Sequence, residues 1–117
     1  MNEAIKQYAQ GDVMFNRAEK VPEGYAPAKA DKSRRHVLAH SETGHHHVVD
    51  ASGVIYYEGR DPLVAYLRLE SVDHADVIHL RAHDTHATVR LSGGAGAIYE
   101  VRKQREFDPA GERRAAD

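Results

Sequence analysis

The stretch that decides the fold runs from His45 to Glu70: His45-His46-His47-Val48-Val49-Asp50, then Ala51-Ser52-Gly53, then Val54-Ile55-Tyr56-Tyr57-Glu58, then Gly59-Arg60-Asp61-Pro62, then Leu63-Val64-Ala65-Tyr66-Leu67-Arg68-Leu69-Glu70. Short runs of β-branched, aliphatic and aromatic residues alternate with clusters of glycine, serine, aspartate and proline. The first kind suits a pleated, half-buried surface and the second suits tight turns. Outward from this stretch the same rhythm continues, with β-prone runs at His36 to His40, Ala75 to Leu80, Ala87 to Leu91 and Ala97 to Phe107. Gly44, Ser71-Val72-Asp73 and Ser92-Gly93-Gly94 separate them. Helical periodicity is nearly absent, so the pattern predicts an all-β chain, an antiparallel small barrel or sandwich. Val64 to Glu70, almost continuously apolar at first, reads as a central strand.

Toward the amino terminus the pattern is weaker. Residues 1 to 10 are polar with a faint helical spacing (Ala4, Ile5, Tyr8), too short for a stable isolated helix, and are expected to pack as a strand or turn. Val13-Met14-Phe15 reads as a short first strand, Lys20 to Gly24 as a turn, and Ala26 to Ser33 as a loop. In the last run Tyr99, Val101, Lys103, Arg105 and Phe107 share one face, and Ile98, Glu100, Arg102, Gln104 and Glu106 share the other; neither is cleanly apolar. The expected organisation is a single β domain over 1–108 with a flexible tail over 109–117.

Composition narrows the chemistry. With 117 residues, 41% hydrophobic and 29% charged, the chain has the balance of an ordinary folded domain. No run approaches the roughly 18 apolar residues of a membrane span, and the start Met1-Asn2-Glu3 lacks the basic and apolar regions of a signal peptide. A cytoplasmic location without membrane association is expected. Cysteine is absent, so any metal site uses nitrogen and oxygen donors. A formal charge of −2 supplies no bulk attraction for nucleic acid. The basic groups Arg34-Arg35, Arg102-Lys103, Arg105 and Arg113-Arg114 are interspersed with acids and read as solvated faces rather than a nucleic-acid patch.

All nine histidines lie between His36 and His86. Histidine is the commonest metal ligand, and the sharpest motif is Thr43-Gly44-His45-His46-His47. On a strand, side chains at i and i+2 point the same way, so His45 and His47 can converge on one ion while His46 points away. Glu42 could return as an oxygen ligand or an acceptor behind a histidine. A second arm, Ala82-His83-Asp84-Thr85-His86, offers His83 and His86 where the chain turns into a strand, with Asp84 placed to orient a ring. His36-Val37-Leu38-Ala39-His40 resembles His79-Leu80-Arg81-Ala82-His83, each followed by an acid and a threonine, which suggests two arms facing one another. The same comparison raises His40 as a rival to His83. His36, His74 and His79 read as structural or surface residues. The expected site is therefore a divalent transition metal, zinc or iron by default, on His45, His47, His83 and His86, with His40, Glu42, Asp84 and Gln104 as further ligands or supports.

An HxH arm, glycine-punctuated strands and a later histidine together resemble the cupin superfamily, in which a β-roll holds a metal on such residues. The resemblance implies a cupin-like β-roll, with ligand roles for His45, His47 and His86. The glutamate that follows the HxH in that family is absent here, where only Asp50 stands, as is the Pro-x-Gly turn before the last histidine. Gln10-Gly11-Asp12-Val13, Thr43-Gly44-His45-His46-His47, His83-Asp84-Thr85-His86 and Gln104-Arg105-Glu106-Phe107 are similar to small uncharacterised bacterial and prophage-type proteins.

Two function classes stay open. A metal-dependent enzyme would act on a small-molecule substrate, with Glu106 as the first choice for a general acid or base beside a metal-bound water; its alternative is an ion pair with Arg102 or another arginine. A non-catalytic metallo-domain would use the ion to hold the arms or a partner, and a homodimer is compatible with either. Ser41 lacks a nucleophile elbow, and Gly93-Gly94-Ala95-Gly96 lacks the lysine and the helix of a phosphate loop and reads as a turn.

Overall fold

The computed structural model describes the backbone of residues 7–10, 13–39, 46–79 and 88–103, and the side chains of 13–39, 46–78 and 88–103. Ten strands form: β1 (Gln7–Gln10), β2 (Val13–Ala18), β3 (Ala26–Pro27), β4 (Arg35–Ala39), β5 (His47–Asp50), β6 (Val54–Glu58), β7 (Val64–Leu69), β8 (His74–His79), β9 (Val89–Ser92) and β10 (Ile98–Lys103). They build a six-stranded sheet in the order β1-β2-β10-β7-β6-β3 and a four-stranded sheet in the order β4-β5-β8-β9. Every pairing is antiparallel. The all-β sandwich or barrel class expected from the punctuation is the fold observed, and no helix occurs among the described residues.

Turn chemistry works as its residue types dictate. The Asp50 carboxylate accepts the Ser52 N–H at 2.7 Å, and the Asp61 carboxylate accepts the Leu63 N–H at 2.9 Å, closing the turns before β6 and β7. Gly93, Gly94 and Gly96 have φ of 128°, 87° and 96°, so the glycine-rich segment is a left-handed corner carrying the chain from β9 to β10.

The inner faces of the two sheets enclose one core that includes Phe15, Leu38, Val49, Tyr56, Leu67, Val77, Leu91 and Tyr99. Strand β7 lies inside the six-stranded sheet between β10 and β6, and the near-continuous apolar run becomes intelligible there: Val64, Ala65, Tyr66, Leu67 and Leu69 are all buried, and Arg68 alone is exposed. Tyr66 is covered on the outer side by Tyr25, edge to face at 4.9 Å between ring centroids.

Two sequence expectations are corrected. Within β10 one face is a core face after all: Tyr99 and Val101 are 0% exposed, and Lys103, of the same parity, is 9% exposed. A buried tyrosine needs a partner for its hydroxyl, and Tyr99 donates to the Ser92 carbonyl at 2.7 Å. The segment from Ala26, expected to be loop throughout, opens with β3: Ala26 pairs with Glu58 and Pro27 with Tyr57, and the Ala28 N–H donates to the Tyr56 carbonyl at 2.8 Å. Proline is tolerated because β3 is an edge strand whose outer side needs no donor. Near the amino terminus, β1 takes the strand option over Gln7–Gln10.

Candidate functional site

The four-stranded sheet sets the geometry of the histidine arms. Its outer pairs are the hairpins β4/β5 and β8/β9, and β5 and β8 are paired to each other in the middle. The register pairs Ala39 with His47, and His47 with His79. β4 therefore ends, β5 begins and β8 ends at the same end of the sheet, and β9 begins beside them. Chain continuity then requires that the connection over 40–45 and the connection over 80–87 both start and finish at that one end.

His47 opens β5 and is 7% exposed. It has the parity of Val49, which packs in the core, so its side chain belongs to the inner face; His46 has the opposite parity and is half-buried. Directly opposed residues in an antiparallel pair have Cα atoms about 5 Å apart, so the backbones of His47 and His79 lie side by side. His79, read from the sequence as structural or surface, is thus the backbone neighbour of His47, through a pairing of β8 with β5 that is not a local feature.

Of the other expected site residues, His45, His83 and His86, together with His40, Glu42, Asp84, Gln104 and Glu106, lie outside the described residues, as does the tail over 109–117. Among the described residues no group of three histidine, cysteine, aspartate or glutamate side chains is arranged to hold a metal ion. His74 is an exposed residue paired with Asp73 at 2.8 Å. His36 is buried, its ring tilted by 37° against that of Tyr56 with centroids 5.3 Å apart.

Arg102, which sequence reasoning offered as an ion-pair partner for Glu106, binds Glu100 at 3.0 Å. Glu100 also accepts from the Asn16 side-chain amide at 3.1 Å, and Tyr66 Oη lies 3.5 Å from its second oxygen. The Arg102 guanidinium holds the Glu100 carboxyl below its ordinary range, against a partial burial that opposes it. These groups sit on the outer face of the six-stranded sheet in the row Asn16, Glu100, Tyr66, Tyr57. Arg90 and Asp76 make an exposed pair at 2.8 Å on the outer face of the other sheet.

The fold and the arms together define a small two-sheet, all-antiparallel β domain with histidine-bearing connections at one end of its smaller sheet. The chain belongs to the DUF8820 family, a domain of unknown function, whose model matches residues 9–104. No curated protein and no solved structure matches it. No helix among the described residues is long and apolar enough to cross a membrane.

Proposed function

We propose that this chain is a divalent transition-metal-binding β domain, with His47 as a ligand from β5 and with His45, His83 and His86 supplied by the two connections at that end of the sheet. The observation that carries this reading is the common end of the two hairpins. Two histidine-rich arms remote in sequence leave from neighbouring strand ends, with His47 buried and in register with His79. The donor set is imidazole with optional carboxylate and no thiolate, which suits zinc or iron(II). A metal so held would supply Lewis acidity at an open position or, with four protein ligands, a closed structural link between the arms. His47 fixes its own ring by burial, so the protein's contribution at this end is a rigid first ligand on a strand rather than on a loop.

The test is the metal content of the chain purified without a tag. About one equivalent of a first-row metal per chain is expected, falling at least tenfold in the double variant His45→Ala, His47→Ala while the variant keeps a β-sheet circular dichroism spectrum. Absorption spectroscopy of the loaded protein then counts nitrogen and oxygen ligands, separating an open site from a closed one. Unchanged metal content in the double variant would overturn the assignment.

A further inference from the structure

A second feature stands away from the hairpin ends. Residues 28–34 carry the chain from the edge of the six-stranded sheet to β4, at the edge of the other, and this crossover leaves a pocket of about 240 Å³ between β4 and β6. Its walls carry His36 and Arg35 from β4, Tyr56 and Glu58 from β6, and Lys29 and Asp31 from the crossover.

Three observations point to a ligand. First, His36 lines the pocket and its ring nitrogens make no hydrogen bond to any described residue, so they keep access to solvent there rather than being sealed in the core. An imidazole carries a polar nitrogen pair that can meet a ligand in place of that water. Second, Arg35, Lys29 and Glu58 all line the pocket and form no ion pair with one another or with any described residue. Opposite charges that share a pocket without meeting are complementary to a molecule that carries both signs. Third, one Asp31 carboxylate oxygen accepts the backbone N–H groups of Ser33 at 2.8 Å and Arg35 at 2.9 Å, whereas the Glu58 carboxylate makes no hydrogen bond to any described residue and is the less engaged acid of the two.

We propose that this pocket binds a small zwitterion of amino-acid size, with its carboxylate toward Arg35 and Lys29, its ammonium toward Glu58, and its middle against His36 and Tyr56. The volume matches about eight waters at ~30 Å³ each, room for a ligand on the order of ten heavy atoms. Burial lowers the His36 pKa, against the pull of Glu58 and Asp31, which favours the neutral ring, with one donor and one acceptor, over a third cation.

The test uses the full isotope-labelled chain and amide NMR titrations with 4-aminobutyrate and 6-aminohexanoate, against butyrate and butylammonium as single-charge controls. Saturable shifts confined to residues 28–37 and 56–58 are expected for at least one zwitterion, with both controls at least about tenfold weaker. Glu58→Gln and Arg35→Gln alter exposed side chains, keep the folded spectrum, and each weaken zwitterion binding by about tenfold or more. Absence of saturation by both zwitterions, equal binding of either control, or undiminished affinity in Glu58→Gln would each overturn the proposal.

Discussion

His36 shows how one residue can be soluble in sequence and costly in structure. Its neighbours on β4 are the exposed Arg35 and the half-buried Val37, and strand parity alone turns its ring inward against Tyr56. Desolvation lowers its pKa from the ordinary 6.5, with Glu58 and Asp31 opposing, so the folded chain binds this proton less readily than the unfolded chain does. The sign follows from linkage: where the unfolded state binds more protons, stability rises with pH. The contribution of His36 is complete above pH 6.5 and is lost as the pH falls below it toward the lowered folded value. Urea midpoints at pH 7.5 and 5.5 should show a smaller drop for His36→Gln than for the parent chain. An identical drop in both would assign the acid sensitivity to other groups. His47 is the second residue-scale lesson: its burial follows from its parity with Val49, while its partner across the ladder lies on a strand three elements further along.

At the scale of elements, β7 carries the most consequence. Flanked by β10 and β6, it has sheet on both edges and core on one face, and its outer face is partly covered by Tyr25. Leu67 is wholly buried there. Leu67→Ala is expected to cost about 2–5 kcal/mol, the transfer of the lost methyl groups plus the cavity left between its ladder neighbours Tyr56 and Tyr99. Arg68→Ala, one position along on the exposed side, should stay within about 0.5 kcal/mol. Chemical denaturation of both variants checks the pair, and comparable losses would contradict the placement of β7. The strands themselves were legible because their punctuation is chemical: Val54–Glu58 is observed as read, and the strands at 64–69 and 74–79 differ from their readings, Leu63 to Glu70 and Ala75 to Leu80, by one residue at each end. The exception, β3, was illegible because two residues including a proline carry no periodicity, and only the waiting edge of β6 makes them a strand.

For the whole molecule, the two sheets divide the labour. The larger supplies most of the core, and the smaller brings its two hairpins to one end, where metal binding is proposed, while the crossover between the sheets makes the pocket around His36. If the arms share an ion, binding is coupled to folding, because the unfolded chain holds no such arrangement. Zinc at a free concentration one hundred times its Kd should then stabilise the chain by about 2.7 kcal/mol, a rise in Tm on the order of 10 °C for a domain of this size. A chelator should reverse it, and the double variant His45→Ala, His47→Ala should not show it. A Tm indifferent to zinc in the parent chain would remove the coupling. What the amino-acid sequence determined by itself is the all-β class, the position of most strands and the donor chemistry available, because turn residues, β-branched runs and the lack of cysteine act locally or by composition. What only the tertiary structure decided is which strands neighbour which: the pairing of β5 with β8, the burial of His47 opposite His79, and the unpaired charges around His36. These depend on contacts between segments far apart in the chain, and such contacts are selected by the shared core rather than by any local pattern.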